Sequence, residues 1–126
     1  MNTQNKSQNR VDQLIHHFWK NGYLTLSRRY GKYLPEPKPI GNYEIDAVGK
    51  YKKKVVLGVI LKEDEFNDPQ IISKLNYLAT SHQKNKKIRL TLFVGVAPEY
   101  SNRARLLVKS LSPDAQKNIK VVQLND

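Results

Sequence analysis

Apolar positions along this chain alternate between two periods, and each change of period predicts an element. Val11, Leu14, Ile15, Phe18 and Trp19 follow the i, i+3, i+4, i+7, i+8 spacing of one helical face. Asn21-Gly22 ends that helix, since glycine takes the left-handed conformation such an end requires. Residues 23–28 (YLTLSR) read as a short first strand. Residues 29–42 (RYGKYLPEPKPIGN) hold three prolines and two glycines, which excludes a regular element. Residues 43–65 then read as two strands joined by a tight basic turn at 49–54. The second strand, residues 55–61 (VVLGVIL), is nearly continuous in apolar character and predicts a central strand covered on both faces. Asp68-Pro69 starts a helix running to about Ser81, with Ile71, Ile72, Leu75, Leu78 and Ala79 on its buried face. Residues 88–96 (IRLTLFVGV) form a strand that Pro98 breaks. Ser101 caps a helix to about Leu111, with Leu106, Leu107 and Leu111 inward and Arg103, Arg105 and Lys109 outward. Ser112-Pro113 ends it, and residues 119–124 (IKVVQL) form the last strand. Residues 1–9 are polar and expected to be disordered, leaving one domain over 10–126. The order helix, three strands, helix, strand, helix, strand predicts an α/β mixed sheet with helices on both faces.

Charge changes the picture more than any other bulk property. The chain has 126 residues, 22 Lys+Arg against 11 Asp+Glu and a net charge of +11. Such a domain attracts polyanions, and nucleic acid is the commonest of these. A basic surface kept for solubility is the plainer alternative. An anionic membrane fits less well, because no helix pairs a long apolar face with a lysine-rich one. Cysteine is absent, which excludes disulfides and thiolate metal sites. The N-terminus lacks the apolar run of a signal peptide and no stretch has transmembrane length, so a cytoplasmic, soluble protein is expected.

Candidate chemistry centres on the strand pair. Glu44 and Asp46 lie two apart, as do Ile60, Lys62 and Asp64, so each set shares one face of an extended strand. A carboxylate and a lysine converging across a hairpin suit metal-assisted phosphodiester chemistry. The same spacing also fits an ordinary hairpin with a wet face. Arg28, Arg29, Lys32 and Lys38 are interleaved with Tyr30 and Tyr33, a mixture that suits phosphates and stacked bases or a locally packed loop. Lys50, Lys52, Lys53 and Lys54 crowd the turn, where Lys52, Lys53 and Lys54 are expected to contact nucleic acid or are simply solvated, and Lys84, Lys86, Lys87 and Arg89 form a second basic cluster. Glu63, Asp64, Glu65 and Asp68 form an acidic run that either binds a metal or charges a loop and caps a helix. Asp12 and His16 sit one helical turn apart with His17 beside them, a metal pair or solvated side chains.

Helix, three-strand meander, helix, strand is the core order of the PD-(D/E)XK nuclease superfamily, the restriction-endonuclease-like fold, and over residues 10–96 the chain resembles its small archaeal Holliday junction resolvases. GNYEIDAV is similar to the region holding the family Asp, which falls at Asp46, and VVLGVILK to the strand ending in Glu-x-Lys, whose lysine falls at Lys62. Asp12, ten residues before Gly22-Tyr23, matches an acidic residue of the family's first helix. The resemblance implies DNA phosphodiester hydrolysis, with Mg²⁺ on Asp46, Lys62 assisting the attacking water, and Asp12 acting through water or a second metal. It also implies a homodimer. Ile60 stands where the family has its Glu, and isoleucine cannot ligate a cation. The expectation is therefore a nucleic-acid-binding protein, DNA rather than RNA, with a degraded catalytic site. Two alternatives stand beside it: an active Mg²⁺-dependent endonuclease whose acid has moved to Glu44, Asp64 or Glu65, and a basic subunit of a nucleoprotein assembly.

Overall fold

A computed structural model describes residues 3–81 and 87–125. Helix α1 (Thr3–Lys20) leads into β1 (Leu24–Arg28), β2 (Ala47–Tyr51) and β3 (Lys54–Ile60). Helix α2 (Ile71–Ala79), β4 (Arg89–Val96), α3 (Ser101–Lys109), the short α4 (Pro113–Gln116) and β5 (Ile119–Gln123) follow. The five strands lie in sequence order. β2 runs antiparallel to both β1 and β3, whereas β4 runs parallel to β3 and β5 parallel to β4. The parallel pairs need long crossovers, which α2 and the α3–α4 pair supply.

Pleating divides the core in two. One face of the sheet carries Ala47, Val56 and Phe93, and α1 lays Val11, Leu14, Ile15 and Phe18 on it. The other carries Leu57, Val59, Leu92 and Val94, covered by Ile71, Leu75 and Leu78 of α2 with Ala104 and Ala115. β3 is thus covered on both sides, as its unbroken apolar run requires. The first interface is close because β3 offers Gly58: a Cβ there would lie 2.6 Å from Leu14 Cδ2 and 3.0 Å from Phe18 Cζ. Leu14 and Phe18 are fully buried, each contributing roughly 2–3 kcal/mol by removal from water. Among the described residues no helix is long and apolar enough to cross a membrane.

Several expectations change at element ends. α1 begins at Thr3, inside the stretch expected to be disordered. β2 begins only at Ala47, so Glu44 and Asp46 precede the strand instead of lying on it. The turn is Lys52-Lys53 alone, with Lys50 on β2 and Lys54 on β3. Leu106 is 63% exposed, since α3 is short and packs through Ser101 and Ala104. Ser101 does not cap α3. It is buried, and its hydroxyl accepts from Gln123 Nε2 at 3.2 Å. Ser112 caps a further helix, its Oγ accepting the N–H of Ala115 at 3.2 Å.

Candidate functional site

The strand ends leave a pocket of about 190 Å³ where the start of β2 meets the finish of β3, roofed by the first half of α1. Asp46 stands at its base. Its N–H donates to Gly58 O at 2.8 Å and its C=O accepts from the Arg29 N–H at 2.9 Å. The side chain extends the β2–β3 ladder past the backbone: Oδ2 accepts the N–H of Ile60 at 2.8 Å. Oδ1 faces Arg29 Nη1 at 3.4 Å. Only 16% of the side chain is exposed. Burial raises its pKa above the usual carboxylate range, opposed by the Ile60 N–H and then by the charges of Arg29 and Lys74. A carboxylate held partly against its own ionisation is a feature of functional sites, although structural ion pairs also produce it.

Three of the side chains expected to act, Glu44, Asp46 and Lys62, line this pocket, together with Ile60. Glu44 reaches it from the irregular segment before β2, where Ile40 and Tyr43 exchange backbone hydrogen bonds of 2.9 and 3.1 Å. Of the acids proposed to replace the missing Glu, Asp64 does not line the pocket, and Glu65 does. Alternation fails here because β3 stops at Ile60 and residues Glu63–Asn67 tighten into a 3₁₀ turn. That turn swings Glu65 back, so its Oε1 accepts the Lys62 N–H at 3.1 Å. Its Oε2 accepts from Lys74 Nζ at 3.2 Å. Lys74, on α2, is a pocket residue that pattern reading missed. Its one signal was a cation between the apolar positions Ile71 and Leu75. Glu65 had a clearer one, an acid three residues after Lys62, the spacing at which a carboxylate returns to a free N–H.

Asp12 is not in this group, which corrects its assignment beside Asp46. It is half-exposed and ion-paired with Arg28 at 2.6 Å, and it lines a neighbouring hollow with Tyr30 and Tyr33. His16 and His17 point with it toward a third, polar hollow. Partial burial lowers the His17 pKa. Among the described residues no three His, Asp or Glu side chains are grouped to hold a metal ion.

The donor set bears on Mg²⁺ directly. Asp46 is engaged by the Ile60 N–H and Arg29, Glu65 by the Lys62 N–H and Lys74, and Ile60 brings no oxygen. A hard divalent cation prefers carboxylate and water oxygens in an octahedral shell. As arranged, Asp46 and Glu65 face cations and an aliphatic wall and do not by themselves fit such an ion, and Glu44 is the third carboxylate lining the pocket.

The loop residues divide. Arg28 and Arg29 are tied to the fold, the Arg28 N–H donating to Pro35 O at 3.0 Å. Tyr30 sits at φ 60°, packs against the α1 core, and has the Arg29 guanidinium 5.3 Å from its ring centroid. Tyr33 is 95% exposed and Lys32 and Lys38 are exposed, so these stand most open to a partner. Lys52, Lys53 and Lys54 lie at the far end of the sheet with Lys87 and Arg89. Lys84 and Lys86 lie outside the described residues. Comparison with protein-family models, with characterised proteins and with solved structures found no match to this chain.

Proposed function

We propose that this chain is a nucleic-acid-binding protein on a restriction-endonuclease-like fold, directed at DNA, in which the former metal pocket holds a backbone phosphate without cutting it. The observation that carries the reading is the composition of the Asp46 pocket. Four cations (Arg10, Arg29, Lys62, Lys74) stand against three carboxylates (Glu44, Asp46, Glu65), with Ile60 between them. The element order and the sheet, three antiparallel strands followed by a parallel fourth, support the fold assignment. The net charge of +11 supports the ligand class.

Each residue has a part. Lys62 is exposed at the mouth and supplies a point charge to phosphate oxygen. Arg29, held by Asp46 and Tyr30, offers the guanidinium edge that Asp46 does not use. Ile60 lines the wall beside the Asp46 carboxylate and keeps from it the water a hydrolytic mechanism would place there. The protein works as one chain in the cytoplasm or as a homodimer on DNA.

The test is binding and cleavage of duplex, branched and single-stranded DNA and of RNA, with Mg²⁺, with Mn²⁺ and with chelator. Binding is expected without metal, weakening about tenfold or more between roughly 50 and 200 mM salt, as two or more phosphate contacts require. Cleavage that needs Mg²⁺ and disappears in Asp46→Ala and Glu65→Ala would overturn the binder reading and make Glu65 the relocated acid of an endonuclease. Salt-independent binding would overturn the phosphate assignment.

A further inference from the structure

The basic residues do not form one surface. The Asp46 pocket opens at the end of β3 marked by Ile60, and the hairpin tip lies at the other end, marked by Lys54. β3 has seven residues, which separates the two by about 20 Å. Between them the faces of β3 are covered by α1 on one side and α2 on the other. The two hollows therefore lie at opposite ends of β3, with α1 and α2 packed along the strand between them.

The tip is a hollow of about 330 Å³ lined by Tyr51, Lys52, Lys53, Lys54, Lys87 and Arg89, with no carboxylate in its lining. Two of its features work against folding. Lys52 is the first residue of a two-residue hairpin turn and adopts φ 53°, a conformation that Asn, Asp and Gly take more readily. Lys54 lies directly beside Arg89 in the parallel β3–β4 register, and like charges placed side by side repel. Solubility demands neither, because surplus charge can sit on any exposed position. The Tyr51 ring is 48% exposed, with Lys52 Nζ 5.4 Å from its centroid. Clustered cations around a half-open aromatic ring complement a sugar–phosphate backbone and its bases.

We infer that the Lys52-Lys53 tip is a second nucleic-acid contact, separate from the Asp46 pocket, and that one molecule holds two duplex segments at once. The inference rests on the nucleic-acid reading above and adds to it a bridging activity.

The experiment uses the full chain and two short duplexes, one carrying a donor fluorophore and the other an acceptor. Anisotropy reports binding to one duplex, and energy transfer between the two reports bridging. Two variants are compared with the parent. One reverses charge (Lys52→Glu with Lys53→Glu). The other replaces the turn by Asn-Gly (Lys52→Asn with Lys53→Gly), which suits the positive φ and keeps the hairpin folded. Both are expected to bind a single duplex within about twofold of the parent and to lose bridging by about tenfold or more. Bridging retained in the Asn-Gly variant overturns the proposal, as does a parent that binds one duplex and never joins two. Loss of binding to phosphatidylserine vesicles in the variants, with bridging intact, assigns the tip to a membrane surface and also overturns it. A parent that binds no duplex at all overturns the nucleic-acid reading itself, an outcome distinct from the others.

Discussion

The backbone N–H of Ile60 donates to the Oδ2 of Asp46 at 2.8 Å, so the residue that brings no metal ligand is also the one that fixes the carboxylate. The side chain of Asp46 takes the place of the next rung in the β2–β3 ladder. Its acceptor oxygen therefore has a structural duty whatever chemistry the pocket performs. Its charge pairs with Arg29, yet burial opposes ionisation more strongly than the neighbours favour it.

Asp46→Asn should consequently melt above the parent at pH 7. The amide oxygen still accepts the Ile60 N–H, and the buried charge is gone. The sign follows from the raised folded-state pKa. Over the window above the ordinary carboxylate pKa the folded chain still holds a proton the unfolded chain has lost, so stability falls as pH rises through that window. The deficit is complete above the folded pKa and absent below the unfolded one. Melting curves of both proteins from acid to neutral pH check this: the gap should close on acidification.

Gly58→Ala should destabilise by about 1–3 kcal/mol, as overpacking of a closed core does. The added methyl would meet Leu14 Cδ2 at 2.6 Å and Phe18 Cζ at 3.0 Å, and both residues are fully buried and cannot swing into water. Urea unfolding measures it. A loss under about 0.5 kcal/mol would mean α1 moves off the sheet more freely than its packing implies.

What the chain's pattern reveals is what repeats. α1, α2, β3 and β4 are long enough for several periods of apolar spacing, and each is present, although α1 starts earlier, at Thr3, and α2 is shorter, Ile71–Ala79 with Gln70 and not Asp68 at its N-cap. What it hides is where the chain leaves a period. Asp46 reads as a strand residue, yet it stands one position before β2, and it acts through a side chain that imitates backbone. Glu65 is invisible to alternation because a 3₁₀ turn, not a strand, carries it to the pocket. Leu106 reads as core because it belongs to a leucine pair, although α3 buries small residues instead. Asp12 shows the limit most plainly. The resemblance implies a place beside the site, but Asp12 is ion-paired with Arg28. Sequence separation ranks positions along an element but does not rank competing partners across elements.

Glu65→Gln separates the two uses of the pocket. The carboxylate holds Lys74 at 3.2 Å, and both side chains are mostly buried, so neutralising it frees one cation toward the pocket. In a phosphate-holding pocket, duplex affinity should rise about two- to fivefold at low salt, the scale of one partly screened charge. In a nuclease with a relocated acid, the same variant would lose cleavage. Anisotropy and a cleavage assay on the same samples distinguish them, and unchanged affinity would remove Lys74 from the binding surface.

Ile60→Glu asks whether this one side chain is what keeps a metal ion out of the pocket. The half-buried Ile60 lines the pocket beside Asp46, so a glutamate there sets two carboxylates against each other and should lower stability in chelator. Mg²⁺ would relieve that repulsion. At ten times its dissociation constant a bound ion contributes about 1.4 kcal/mol, visible as a rise in melting temperature in the variant that the parent lacks. If Mg²⁺ moves neither protein, the isoleucine is not what excludes the ion. Arg29 and Lys74, already seated against the two carboxylates, would then be the groups that hold the metal's place. Combining Ile60→Glu with Arg29→Ala and Lys74→Ala should in that case produce the Mg²⁺-dependent rise, because only then are both Asp46 and Glu65 released to a metal.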